Sequence, residues 1–221
     1  MLLRTSASSS RPVDGPLSAL AAERVFCSEF RYRRGTEIFG EGEETEYVYQ
    51  IVSGAVRTYK LLCDGRRQVN AFHLPGDMFG LENGAAHRFS AEAVVATTVR
   101  IAKRRSLVEA MQGQRAGSSR VLGLVTQNLQ HAENHMLLLG RKTALERVAA
   151  FLLEMDRRLG HPDVIVLPMS RRDIADYLGL TLETVSRACS KLRDQKMLKL
   201  EGPTQRQVVL LDRKGLAEYD T

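Results

Sequence analysis

No apolar run in this 221-residue chain approaches the roughly 20 residues that a helix needs to cross a bilayer. No membrane span is therefore expected. Residues 1–16 open on two leucines and then turn serine-rich and polar, with no apolar core. They read as a disordered tail rather than a secretory leader. The three cysteines, Cys27, Cys63 and Cys189, are far apart and odd in number. A disulfide framework is thereby excluded, and a reducing cytoplasm is the expected setting. The chain also lacks a glycine-rich phosphate loop, a nucleophile elbow and a metal triad. His73 and His87 are too isolated to supply the inward His/Glu cluster of a cupin-type enzyme. An enzyme is therefore not expected.

What remains is ordinary for a globular protein of one or two domains, with 43% hydrophobic and 26% charged residues. The net charge of +6 and the pI near 9.4 suit a polyanionic partner. Locally the signal is sharper. Arg187, Lys191, Arg193, Lys196 and Lys199 cluster within one stretch, with Asp194 as the acid between them.

That stretch belongs to the most informative window, R-R-D-I-A-D-Y-L-G-L-T-L-E-T-V-S-R-A-C-S-K-L at 171–192. Ile174, Ala175 and Leu178 form one helical stripe, and Val185, Cys189 and Leu192 form another. Gly179 between them can take a positive φ without steric cost. Thr181 can cap the second helix. The spacing predicts a helix-turn-helix with Glu183, Ser186 and Arg187 on the face opposite the apolar stripe. Those side chains match base edges: arginine forks onto guanine, glutamate accepts from cytosine N4, and serine adapts to either. Glu183 and Arg187 are also one turn apart and could pair with each other instead.

Upstream, short runs bounded by glycine predict strands at 36–39, 47–52, 55–62, 67–74, 91–95 and 98–102. Asp64-Gly65 reads as a two-residue hairpin turn. Many short strands suggest a sandwich, barrel or jelly roll. A short helix is expected at 105–111 and a longer one from 117 to 139. In the longer helix Val121, Val125, Leu129, Ala132, Met136 and Leu139 recur every three or four residues. This stripe is the expected dimer interface, with a buried helix of a monomer as the alternative. Residues 140–142 read as a hinge and 143–159 as another helix, with Ala144, Leu145, Val148, Leu152, Met155 and Leu159 inward. A short strand at 164–167 precedes the helix-turn-helix. Pieces at 198–200 and 208–211 follow it as a β-wing. His131 and His135 have metal-ligand spacing, but no third ligand is evident, so a solvated or interface pair is expected. Cys189 reads as a buried thiol; a redox role would need exposure and a lowered pKa.

The fold class is thus α+β: an N-terminal jelly-roll-like β-roll, a long dimerisation helix and a C-terminal winged helix-turn-helix. The expected domains are a tail at 1–16, a β-roll at 17–114, a dimerisation helix at 115–140 and a DNA-binding domain at 141–221. This order, with M-L-L-L-G-R-K-T-A-L-E-R-V-A-A-F-L at 136–152 and L-E-T-V-S-R at 182–187, resembles the CRP/FNR family of bacterial transcription regulators, on its FixK-like side. The resemblance implies a cytoplasmic homodimer that binds double-stranded palindromic DNA of the TTGA-N6-TCAA type and acts with bacterial RNA polymerase, as an activator in nitrogen fixation or microaerobic respiration. It implies base reading by Leu182, Glu183, Ser186 and Arg187. It places Ser170, Arg171, Arg172, Thr181 and Thr184 at phosphates, where contacts set register. It implies no cofactor and no small effector. Three scattered cysteines cannot hold the family's four-thiolate iron–sulfur cluster. In place of the Pro-Arg-Ser/Thr-Ala that grips a cyclic phosphate, the chain has His87-Arg88-Phe89-Ser90, with Glu82 upstream.

Overall fold

The computed structural model describes residues 27–82, 84–112 and 115–219. The tail at 1–16 lies outside the described residues. Within helices, the side chains of 110–121 and 124 are also outside the description, so the expected interface residue Val121 falls there.

Eight strands come first: β1 (Cys27–Tyr32), β2 (Glu37–Phe39), β3 (Tyr47–Ser53), β4 (Val56–Leu61), β5 (Arg67–His73), β6 (Met78–Phe79), β7 (Ser90–Ala93) and β8 (Thr97–Lys103). They form two four-stranded sheets, ordered β1-β8-β3-β6 and β2-β7-β4-β5. Alternation along the strands sorts the side chains into two apolar layers. Phe39, Tyr49, Ile51, Phe79, Val56, Ala91 and Val99 fill the space between the sheets. Val48, Met78 and Ala102 point the other way and pack with Leu107 of α1 (Arg104–Gln112). The strands β1 and β6 were not anticipated. β1 pairs with β8 across the sequence, Cys27 opposite Ala102, and β6 is only two residues long.

The Asp64-Gly65 turn differs from the two-residue form. Gly65 N–H donates to Leu62 O (2.9 Å), and Leu62 N–H donates to Arg66 O (2.8 Å). Gly65 takes φ of 82°. The loop is therefore three residues long, a turn followed by a left-handed glycine. Asp64 favours it by accepting Arg66 N–H at 3.0 Å.

After α1 come α2 (Arg115–Arg141) and α3 (Ala144–Arg158). Chain contacts divide the protein into Met1–Leu129 and Gln130–Thr221, so the division falls inside α2. The expected hinge at 140–142 is shorter than read, because α2 continues through Gly140 to Arg141. Thr143 makes the break: its hydroxyl accepts Glu146 N–H while Glu146 accepts Thr143 N–H at 2.7 Å. That capping box starts α3 afresh. α3 buries Val148, Leu152 and Met155 as its periodicity predicts, and also Ala149 and Phe151. The wider apolar face reflects two partners, the later helices Leu182–Asp194 and Arg213–Glu218.

The remainder is β9 (Ile165–Val166), α4 (Arg171–Leu178), α5 (Leu182–Asp194), β10 (Leu198–Glu201), β11 (Gln207–Leu210) and α6 (Arg213–Glu218). The three strands pair in the order β10-β11-β9 and form the wing. The helix α6 was not read from the sequence. Its N-cap Asp212 accepts Gly215 N–H, and Arg213 reaches back to the buried Asp156 of α3 at 2.9 and 3.0 Å.

Candidate nucleic-acid interface

The α4–turn–α5 unit owes its shape to local chemistry. Ser170 caps α4: its hydroxyl accepts Asp173 N–H (3.2 Å), and Asp173 accepts Ser170 N–H (2.9 Å). Gly179 ends α4 in the left-handed region, with φ of 62° and ψ of 37°. Thr181 then caps α5 by accepting Thr184 N–H at 3.2 Å. Ile174, Ala175 and Leu178 are buried, as are Val185, Cys189 and Leu192. Both predicted stripes face inward, which commits the opposite side of α5 to solvent.

On that side Glu183 and Arg187 are exposed, Ser186 is half-buried, and Leu182 retains 38% of its surface. Among the described residues no ion pair joins Glu183 to Arg187. The guanidinium instead reaches Thr184 Oγ1 at 3.5 Å, a loose contact. The Glu183 carboxyl is held below its ordinary value, first by its own backbone N–H and then by the Thr181 hydroxyl, with Arg187 and Arg172 adding attraction. It is therefore an ionised acceptor at neutral pH, at the positive end of a helix.

A shallow open groove of about 500 Å³ continues along the same face, lined by Ser186, Arg187, Ser190, Lys191, Asp194 and Gln195. Ser190 and Gln195 are the lining residues the sequence reading missed. Continuing the i, i+3, i+4, i+7 spacing from Glu183 would have found Ser190.

The residues expected at phosphates are less uniform. Thr181 caps α5 and Thr184 lies in its first turn, with their hydroxyls 3.0 Å apart. Ser170 has its hydroxyl engaged, because it also donates to Asp173 at 2.7 Å. Arg172 is exposed. Arg171 donates to Gln205 of the wing at 2.6 Å, so the wing tip and the start of α4 are held together. Two of the five clustered cations are partly neutralised: Arg193 by Asp194 and Lys199 by Glu201.

The α2 stripe expected at an interface also divides. Val125, Leu129 and Met136 expose 52, 57 and 66% of their surface, and Ala132 is exposed. Leu122, at 67%, sits seven residues before Leu129 and extends the same repeat. Leu139 is half-buried at the lower end. Neither histidine on α2 is part of a metal cluster among the described residues. His131 Nδ1 lies 3.3 Å from Glu154, and His135 Nε2 donates to Tyr177 O at 2.9 Å.

Cys189 is buried, and burial pushes its thiol up, against a smaller opposing pull from Arg171. That is the environment of an inert packing thiol. In the β-roll, Glu82 accepts from the buried His87 Nδ1 (2.6 Å) and from Arg88 N–H (3.2 Å). The Arg88 side chain is exposed and lies over the Phe89 ring. The Glu82 carboxylate is thus engaged within the roll, and Arg88 is turned over the Phe89 ring.

Residues 146–219 match the Crp-like helix-turn-helix domain, and residues 29–114 match the cyclic nucleotide-binding domain. The chain is 47% identical over 169 residues to the nitrogen fixation regulation protein FixK of Rhizobium meliloti, covering 76% of this chain and 77% of that protein. It is 46% identical to FixK of Azorhizobium caulinodans, covering 96% and 84%. The structure of FixK2 from Bradyrhizobium japonicum superposes with a TM-score of 0.85 at 58% identity, covering 89% of this chain and 98% of that one.

Proposed function

The chain belongs to the CRP/FNR family of transcription regulators, on its FixK side, and from that premise we propose that it is a homodimeric activator reading a TTGA-N6-TCAA-like palindrome without a small effector. It is a DNA-binding regulator and not an enzyme. The observation that carries the finer reading is the solvent face of α5. Glu183, Ser186 and Arg187 stand there in its first two turns, ionised or hydrogen-bond competent, while Val185, Ala188, Cys189 and Leu192 are buried on the opposite face. In this reading Arg187 forks onto a guanine, Glu183 accepts from a cytosine N4, Ser186 adapts, and Leu182 meets a thymine methyl. Arg171, Arg172, Thr181 and Thr184 hold phosphates, and Ser170 acts through the cap it makes for α4.

The homodimer is supported by the apolar seven-residue repeat Leu122, Leu129, Met136, joined by Val125, Ala132 and Leu139. Two-fold pairing through that helix would present two copies of α5 to a palindrome. The effector-free mode is supported by the engagement of Glu82 with His87 and Arg88 N–H. A cytoplasmic setting and contact with bacterial RNA polymerase are parts of the same proposal, as is a role in nitrogen fixation, which the names of the FixK relatives support.

The deciding experiment is a titration at fixed salt on a TTGA-N6-TCAA duplex and a scrambled control, with and without cyclic AMP. Tight selective binding without nucleotide is expected. Selectivity that appears only with cyclic AMP overturns the effector-free reading, and equal binding to both duplexes overturns the half-site assignment.

A further inference from the structure

Only Lys142 and Thr143 separate α2 from α3. A two-residue joint has enough free torsions to swivel unless something outside it holds it. Arg147, in the first turn of α3, supplies the hold. Its Nε donates to Lys142 O at 2.9 Å, one terminal nitrogen to Leu139 O at 3.0 Å, and the other to Leu178 O at 2.9 Å. These carbonyls come from the end of α2, the joint, and the last residue of α4. Carbonyls at helix ends lack intrahelical partners and carry the negative end of the dipole. A rigid cationic fork satisfies all three at once, which the compact ammonium of lysine cannot do.

A second contact acts on the neighbouring residue. His135 Nε2 donates to Tyr177 O at 2.9 Å, and its ring stacks on the Tyr177 ring with centroids 4.1 Å apart and planes 3° from parallel. Burial holds this imidazole below its ordinary value, so the neutral ring is the donor at neutral pH. The Tyr177 hydroxyl in turn lies 3.5 Å from Glu154, which also faces His131. The Gly179 turn rests on the same place: a Cβ there would stand 3.5 Å from Leu139 and 3.6 Å from the Arg147 guanidinium. The last turns of α2, the joint and the turn that launches α5 are thus one tied assembly, all within Gln130–Thr221.

We infer that Arg147, assisted by His135, is a positioning residue that sets the angle between α2 and the reading helix α5, and so the half-site spacing the protein accepts. The inference rests on the proposed homodimer and palindrome. In a two-fold reader the half-site centres lie one helical turn apart, about 34–36 Å. The second half-site is then bound at an effective concentration set by how well the joint holds that span. A loosened joint lowers this concentration for the correct spacing and raises tolerance for wrong ones. It leaves the contacts of one α5 with one half-site intact.

The test uses the full chain and its variants Arg147→Ala, Arg147→Lys and His135→Phe. Binding is measured on a single half-site, on the six-base-pair-spaced palindrome, and on palindromes one base pair shorter and longer; thermal unfolding is recorded alongside. The expected result for Arg147→Ala is half-site affinity within about twofold of the parent and a preference for the six-base-pair spacer reduced about tenfold. Arg147→Lys and His135→Phe, which keep the charge and the ring stacking respectively, should show smaller losses in the same direction. Should Arg147→Ala fail to fold, these two carry the test. Variants that fold and keep the parent's full spacer preference overturn the inference, as does equal loss on half-site and palindrome. A parent that binds half-site and palindrome alike overturns the dimeric reading itself, and the inference with it.

Discussion

Two stretches of this chain place a glutamate a few residues before an arginine, and the fold puts them to opposite uses. In the β-roll, Glu82 spends its oxygens on His87 and on Arg88 N–H, while Arg88 lies over Phe89. On α5, Glu183 and Arg187 stay exposed, and Arg187 keeps a single loose contact at 3.5 Å. In the first set the Glu82 carboxylate is internally satisfied, so a ligand would have to break good hydrogen bonds to use it. The second lies on a solvent-exposed face, where base edges can take the place of water at little cost. Availability, and not residue type, separates the structural pair from the pair proposed to read bases.

The largest effect that would test this contrast is on stability. His87 is buried at 3% exposure and stacks on Phe39 with centroids 3.6 Å apart. His87→Ala should cost on the order of 2–3 kcal/mol of unfolding free energy, from the cavity and the donor lost to Glu82. Denaturant melts would register it, with DNA selectivity unchanged in the folded protein. A loss of selectivity without a loss of stability would invert the comparison.

Arg187→Ala should do the reverse. Stability stays within about 0.5 kcal/mol, since the side chain is exposed. Affinity for the palindrome falls by about 1–3 kcal/mol and preference relaxes at one base pair. Competition titrations against duplexes varied at that position give both numbers, and an equal loss on random DNA would refute base reading by this residue. Arg171→Ala should instead weaken specific and random binding alike and flatten the slope of log affinity against log salt by about one. Melting the same variant reports whether the wing tip, tied through Gln205, loosens with it.

The smallest expected effect concerns pH. Because the Glu183 carboxyl is held below its ordinary value of 4.5, the ionised acceptor persists as pH falls toward that value and is lost only beneath it. Between about pH 7 and 5, a parent and a Glu183→Gln variant should therefore show parallel pH profiles of selectivity. Divergent profiles in that window would mean that Glu183 titrates there and that its cap at Thr181 does not hold it.

Much of the interface was legible because its determinants are local. Helical period, the left-handed glycine at 179 and the threonine cap at 181 lie within about one helical turn of the groups they organise, and the structure places each as the spacing predicts. The order of strands, long helix and winged helix was legible for the same reason. What was missed depends on neighbours that sequence spacing does not reveal. β1 is a strand because β8 lies beside it, and α6 is held because Arg213 finds Asp156 across 57 positions. The Asp64-Gly65 loop is one residue longer than read because bonding between Leu62 and Arg66 selects the turn.

By itself the sequence determined that two amphipathic helices with a glycine turn would expose Glu183, Ser186 and Arg187 together, because side-chain direction on a helix follows from position alone. Tertiary structure decided which polar groups would be used up. It sent Glu82 to His87 and Arg147 to Leu178, 31 positions away, because a long side chain bonds whatever unsatisfied group the packed chain brings within about 3 Å.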